Sequence, residues 1–261
     1  MKGSISKLKL FKACHRAYYF KYVEDLEPVQ KPEALETGTN YHELLEELYR
    51  ISGVVIADWS KEEAMAIAYS KYIYPKFKVK AVEEWKSRSC GTHTIIGRVD
   101  GIAEDGSLVE HKTTSMDLDE FEYGLQWDEQ MLVYMWLTGT TSIWYTMIRK
   151  PTIRQKKDES DEEFFQRMVE WYDEDTDRKI RVVKLERTIE QINDCVRELE
   201  WTMDDIEALG ENDINHWSKN TCYCDHWGRR CEYSNICLNY DPNETYVEFV
   251  KGVRNGTKEN S

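Results

Sequence analysis

Residues 94–115, TIIGRVDGIAEDGSLVEHKTTS, constrain the fold more than any other stretch of the chain. Apolar residues at Ile96, Val99 and Ile102, then at Leu108 and Val109, flank Glu104-Asp105-Gly106, the pattern of a strand, a tight turn and a second strand. On the second strand the two-residue period sends Leu108, Glu110 and Lys112 to one face, so an acid and an amine stand side by side. The turn decides whether Asp100 joins them. A two-residue Asp105-Gly106 turn sets Asp100 opposite His111, on the other face. A three-residue turn with Gly106 left-handed sets Asp100 opposite Glu110 and Ile102 opposite Leu108, and this register is the one expected. Two carboxylates and an ammonium converging on one strand pair form a hard-oxygen site for Mg²⁺ or Mn²⁺, with the lysine able to meet a water or a phosphate. A solvated hairpin with ordinary surface charges fits the same pattern.

Around this hairpin there is enough chain for one large domain with appendages. Hydrophobic residues at 41%, with nine Trp and sixteen Tyr, exclude global disorder, and no apolar run approaches the roughly 20 residues of a membrane span. The amino terminus, MKGSISKLKLFKACHRAYYF, has neither an uninterrupted apolar segment nor a small-residue cleavage site, so a cytoplasmic, reducing setting is expected. The formal net charge of −14 argues against a protein that coats nucleic acid non-specifically. A local groove remains compatible with it, since bases cluster at Lys7, Lys9, Lys12, Arg16 and Lys21, and again between Arg149 and Lys157.

Taken in order, residues 4–22 are expected to form one helix capped by Ser4 or Ser6, with Leu8, Phe11, Tyr18 and Tyr22 available for burial and Cys14 in its middle. Asn40 and Glu43 have capping-box spacing, which places His42 in the first turn of a second helix. A further helix near 60–74 and a strand over 79–86 follow, with Glu83 and Glu84 each able to add a carboxylate and no feature that chooses between them. Residues 119–137 read as a single helix on which Gln130 and Tyr134 share a face. A strand SIWYTMI, a helix from about Ser160, a strand KIRVVKLER and a long helix opened by Thr188 complete the body.

Four of the seven cysteines, Cys222, Cys224, Cys231 and Cys237, lie within the last segment TCYCDHWGRRCEYSNIC. In a reducing compartment this density points to metal rather than disulfides. Zinc is one candidate, although paired C-x₂-C spacing is missing. Three of these thiolates with Cys14 would instead satisfy an iron–sulfur cluster and join the two ends of the chain. Cys90 and Cys195 read as core residues.

Together the pieces resemble the PD-(D/E)XK nuclease superfamily, in particular its RecB-like branch with an iron–sulfur cluster, including phage and CRISPR-associated members. The residues that carry the resemblance are SxSxLxxFxxCxxxYYFKY at 4–22, GxxxH from Gly38 to His42, GRVD ending in Asp100, EHK from Glu110 to Lys112, QxxxY from Gln130 to Tyr134, and CEYSNIC at 231–237. The resemblance implies that His42, Asp100 and Glu110 bind the divalent metal, that Lys112 orients or helps deprotonate the attacking water, that Gln130 and Tyr134 line the DNA side, and that Cys14, Cys224, Cys231 and Cys237 hold a [4Fe–4S] cluster. Two departures stand out. The family's C-x₂-C-x₅-C motif keeps only its x₅ spacing here, so Cys224 is preferred over Cys222, and the usual proline after the helix cysteine is His15.

The expected architecture is therefore α/β: a restriction-endonuclease-like mixed central sheet flanked by helices, with the terminal segments joined at an iron–sulfur cluster. One nuclease domain over residues 1–240, with a helical part to 75 and a cysteine segment over 221–240, precedes a tail at 241–261. The expected function is metal-dependent DNA cleavage, exonucleolytic on single strands or duplex ends, in recombination, repair or phage replication, with proteins of those processes as partners. The alternative is a non-cleaving DNA-binding module stapled by a cluster or by zinc.

Overall fold

The computed structural model describes residues 1–30, 33–210, 213–226 and 229–252. The chain forms two compact units, one built from residues 1–31, 88–96 and 197–261, the other from residues 32–87 and 97–196.

In the first unit a short strand β1 (Lys2–Ser4) runs parallel to Thr94–Ile96, and β2 (Leu26–Pro28) pairs antiparallel with Phe249–Lys251. The single helix expected over 4–22 is instead interrupted: α1 (Ile5–Ala13), capped by Ser4, ends at Cys14, whose backbone is extended at φ −163° and ψ 114°, and α2 (His15–Tyr18) continues into a π turn over Tyr19–Val23. The break has a tertiary cause. Residues Trp217–Asn220 lie along it: the Arg16 amide donates to the Ser218 carbonyl at 3.0 Å, the Arg16 Nε to the Trp217 carbonyl at 2.8 Å and the Asn220 side chain to the Ala13 carbonyl at 2.8 Å. Trp217, 1% exposed, stacks on Tyr18 and meets the edge of Phe11, so this unit has an aromatic core.

The second unit carries α3 (Glu33–Ile51), α4 (Lys61–Tyr72), most of β3 (Val79–Cys90) and β4 (His93–Ala103), then β5 (Leu108–Thr114), α5 (Leu118–Gly124), α6 (Glu129–Thr138), β6 (Ser142–Arg149), α7 (Asp161–Trp171), α8 (Thr176–Lys179), β7 (Ile180–Glu186) and the start of α9 (Ile189–Leu209). Its sheet is mixed: β4 and β5 are antiparallel, β5 and β6 parallel, β6 and β7 antiparallel, and β3 also pairs with β4. A parallel β5–β6 pair needs a crossover, which α5 and α6 supply. Tyr41, Leu45 and Leu48 of α3 and Met65, Ala68 and Tyr69 of α4 bury themselves with Ile148 and Ile180 of the sheet. Ser60 with Glu63, Ser160 with Glu163 and Thr188 with Gln191 form capping boxes that fix the starts of α4, α7 and α9. The α/β class and the mixed, helix-flanked sheet agree with the sequence reading. No helix among the described residues is long and apolar enough to cross a membrane.

Two helix boundaries differ from expectation. Since α3 already runs from Glu33, His42 sits in mid-helix rather than in a first turn; the polar Thr39 is accommodated inside it by donating to the Leu35 carbonyl at 3.1 Å. The helix expected over 119–137 divides before Glu129, because Asp128 takes an extended backbone, caps α6 by accepting from the Gln130 amide at 3.0 Å, and accepts from the Tyr145 hydroxyl at 2.6 Å.

Candidate active site

The β4–β5 turn spans three residues, Glu104 to Gly106, with Gly106 at φ +84° and Ala103 N–H bonded to the Ser107 carbonyl. Ile102 therefore pairs with Leu108 and Gly101 with Val109, and Asp100 and Glu110 are the next residues along the two strands. Past that point the ladder gives way to side chains. The His111 amide donates to Asp100 Oδ2 at 2.9 Å, and the His111 carbonyl accepts from His42 Nε2 at 3.1 Å. Two backbone groups that a continuous sheet would satisfy are thus satisfied by Asp100 and His42, which holds both residues at the strand divergence.

Because Nε2 donates to a carbonyl, His42 turns Nδ1 toward the carboxylates, 3.6 Å from Asp100 Oδ2 and 3.7 Å from Glu83 Oε1. One ligand atom each from His42, Glu83 and Asp100 lies within 4.8 Å of the others, a spacing that can hold one metal ion. Glu83 is the carboxylate that the sequence could not choose. It sits in β3 with φ +52°, a left-handed conformation that resets the alternation of side chains along the strand, and nothing in the pattern Val82-Glu83-Glu84-Trp85 announces it. A cleft of about 410 Å³, lined by these three residues with Arg98, Thr39 and Glu43, opens the site to solvent.

Glu110 stands beside this trio rather than within it. Its Oε1 accepts from Lys112 Nζ at 2.5 Å and from Gln130 Nε2 at 3.0 Å, and its side chain is 4% exposed. The charges tune one another. Burial and then Glu110 push the Asp100 carboxyl up to about 7, against the pull of His42, the His111 amide and Lys112. Burial works against a charge on His42 and on Lys112. Glu83, Asp100 and Glu110 nevertheless raise the pKa of His42, and Glu110, Asp128 and Asp100 that of Lys112, so the lysine is a cation. Burial, then His42 and Lys112, hold His111 well below its ordinary value, and its Nδ1 shares a hydrogen bond of 2.8 Å with the Thr146 hydroxyl.

A family model of the PD-(D/E)XK nuclease superfamily matches residues 2–238. The chain belongs to this superfamily. It is accordingly a metal-dependent nuclease. Among solved structures, a putative exonuclease from Eubacterium rectale is similar over 94% of this chain and 90% of its own, with a TM-score of 0.54 at 13% identity. A phage related exonuclease from Haemophilus somnus 129PT (14% identity, TM-score 0.34, 74% of this chain and 94% of its own) and an alkaline exonuclease from Laribacter hongkongensis (15%, 0.33, 78% and 95%) are more distant in shape. A search of curated sequences returns no significant match.

In this nuclease the QxxxY residues have unequal positions. Gln130 reaches Glu110, whereas Tyr134 is 8% exposed and its ring lies against the backbone of β4, where a Cβ at Gly97 would come within 2.7 Å of Tyr134 Cε1. Gly97 is therefore what lets α6 approach the sheet closely enough for Gln130 to meet Glu110.

In the other unit, Cys14 is buried at the break between α1 and α2, and its sulfur accepts from the Asn220 amide at 3.5 Å. Cys224 Sγ lies 3.8 Å from the Asn220 carbonyl, and the Cys231 amide donates to the Cys224 carbonyl at 2.9 Å. Burial raises the Cys231 thiol to about 11, with Cys14 and Cys224 adding to the rise, and burial raises Cys237, where the same two thiols add and Lys219 and Arg16 oppose. Cys222 is exposed, while Cys90 and Cys195 are buried. Among the described residues the ligand atoms that come within 4.8 Å of one another as a group of three or more are those of His42, Glu83 and Asp100, so the four sulfurs expected to share a cluster are not brought into such a group.

Proposed function

We propose that this nuclease is a DNA exonuclease in which His42, Glu83 and Asp100 hold a Mg²⁺ or Mn²⁺ ion, with Glu110 as a further ligand and Lys112 as the catalytic cation. The observation that carries the reading is the strand divergence, where Nδ1 of His42 and the carboxylates of Glu83 and Asp100 face one another in an open cleft next to the Lys112–Glu110 pair. A divalent cation there supplies Lewis acidity toward a phosphoryl oxygen and acidifies a water. Asp100 and His42 keep their places through His111, so the donor set is preorganised rather than assembled on binding. Lys112, held as an ammonium by Glu110, Asp128 and Asp100, acts as a hydrogen-bond donor: it orients the attacking water and offsets negative charge growing on the phosphate. Gln130 fixes Glu110 from the other side, and Gln130 and Tyr134 are assigned to the DNA side of the site. Preference for ends is supported by the likeness in fold, across nearly the whole chain, to the Eubacterium rectale protein described as a putative exonuclease.

Cys14, Cys224, Cys231 and Cys237 are assigned to a [4Fe–4S] cluster that cross-links the first and last segments of the 1–240 nuclease domain; the cluster's part is structural. What supports this is that Cys14 and Cys224 lie near enough to both Cys231 and Cys237 to raise their thiols, and that Cys222 is exposed.

The test is release of nucleotides from 5′- and 3′-labelled single- and double-stranded DNA with Mg²⁺ or Mn²⁺, beside a closed circular substrate. Mononucleotide release from linear DNA, abolished by EDTA and restored by metal, is the expected result. Cleavage of the circle refutes the preference for ends. Metal-dependent binding without any release selects a non-cleaving DNA-binding module.

A further inference from the structure

Glu83 is an expensive place to put a metal ligand. A non-glycine residue at φ +52° inside a strand is conformationally disfavoured and persists only where its surroundings hold it. The side chain offers the explanation. Its two oxygens are divided between partners: Oε1 faces His42 Nδ1 at 3.7 Å within the metal-binding group, and Oε2 is ion-paired with Arg98 Nε. Arg98 stands two residues before Asp100 on β4, lines the same cleft, and has a second acid, Glu46, 3.9 Å from its guanidinium. Glu83 is 12% exposed and Arg98 47%, so the pair closes the inner wall of the cleft while the outer part of the guanidinium meets solvent.

We propose that Arg98 is a positioning residue for the divalent metal, acting through Glu83. The guanidinium is planar and donates along fixed directions, so its Nε–H fixes the plane of the carboxylate and leaves Oε1 aimed at the space between His42 and Asp100. Released from Arg98, the carboxylate is free to rotate about the bonds of its side chain, and the left-handed backbone loses the contact that holds it. Arg98 also brings a positive charge near the site, which repels a cation. The two effects oppose each other, and the ion pair decides the sign: a charge engaged with Glu83 and flanked by Glu46 is largely neutralised toward the site, whereas an unaimed ligand costs binding directly. Loss of a partner that orients a ligand weakens metal binding by about 10–100-fold in metalloproteins generally.

This inference rests on the metal site proposed above, and its test reads the metal alone. Mn²⁺ is titrated calorimetrically into the full-length protein, first stripped with EDTA, as wild type, Asp100→Ala, Glu83→Gln, Arg98→Met, Arg98→Lys and the Glu83→Gln/Arg98→Met double variant, with circular dichroism of each. The expected result is an Mn²⁺ dissociation constant raised about 10–100-fold in Arg98→Met, partly recovered in Arg98→Lys, and raised less than about threefold further when Arg98→Met is added to Glu83→Gln. An unchanged or lowered constant in Arg98→Met overturns the proposal, as do independent, multiplying effects in the double variant. If Arg98→Met loses its helical signal, Arg98→Lys decides: a folded lysine variant that binds Mn²⁺ more weakly than wild type but no more weakly than Glu83→Gln supports the proposal, and wild-type affinity, or weakening beyond that of Glu83→Gln, overturns it. Asp100→Ala separates the two readings, because Mn²⁺ binding that survives this substitution refutes the metal site itself, while its loss together with an unaffected Arg98→Met refutes only the role of Arg98.

Discussion

Removing the charge of Asp100 is predicted to stabilise the metal-free protein while destroying its metal site. Burial and Glu110 lift the Asp100 carboxyl from 3.8 to about 7, and that displacement is a free energy against the ionised folded state on the order of 4 kcal/mol. The sign follows from proton counts. Between about pH 4 and pH 7 the folded chain holds a proton on Asp100 that the unfolded chain has released, so stability falls as pH rises through this window and levels off above 7. Asp100→Asn escapes the penalty but keeps only a neutral acceptor for the His111 amide, a loss of about 1 kcal/mol where the carboxylate is ionised. The net expectation in EDTA is an Asn variant about 2–3 kcal/mol more stable than wild type at pH 8, with the gap closing by pH 5. Urea unfolding followed by tryptophan fluorescence at pH 5, 6, 7 and 8 measures it. Adding Mn²⁺ then raises the midpoint of wild type and leaves the variant unmoved. A wild type that equals or exceeds the variant at pH 8 in EDTA, or a gap that does not depend on pH, would refute the electrostatic reasoning.

Lys112→Ala is expected to lower kcat by a factor of about 100 or more with little change in DNA affinity, because its ammonium acts on charge that develops in the transition state; gel-shift binding in Ca²⁺ beside Mg²⁺ turnover separates the two, and wild-type turnover sinks the assignment. Gly97→Ala drives a methyl into the ring of Tyr134 and the side chain of Leu137, so it should destabilise by about 1–3 kcal/mol and depress activity by moving Gln130 from Glu110, whereas Gly97→Ala combined with Tyr134→Leu should recover part of the stability; denaturation midpoints of both variants check this. Protein purified anaerobically should be brown with about four irons per chain, and Cys14→Ala should lose both colour and stability while Cys222→Ala keeps them; a colourless protein with stoichiometric zinc selects zinc instead.

The hairpin was legible because its register depends on local chemistry alone. Gly106 supplies the positive φ of a three-residue turn, and a period of two then commits Asp100 and Glu110 to facing positions whatever surrounds them. Capping boxes at Ser60, Ser160 and Thr188 were readable for the same reason, since donor and acceptor lie three residues apart. The order of the motifs was enough to indicate the superfamily. The choice of Glu83 over Glu84, the division of labour that leaves Glu110 to Lys112 and Gln130, and the break in the helix at Cys14 were decided only in three dimensions. Glu83 is held by Arg98, fifteen residues away in sequence, in a conformation its own neighbours disfavour, and Cys14 is pulled from the helix by carbonyl and amide groups some two hundred residues distant. Local sequence fixes a conformation where the partners that satisfy each backbone group are near in the chain; at Glu83 and Cys14 those partners are distant, and the local preference is overruled by bonds that exist only once the chain has folded.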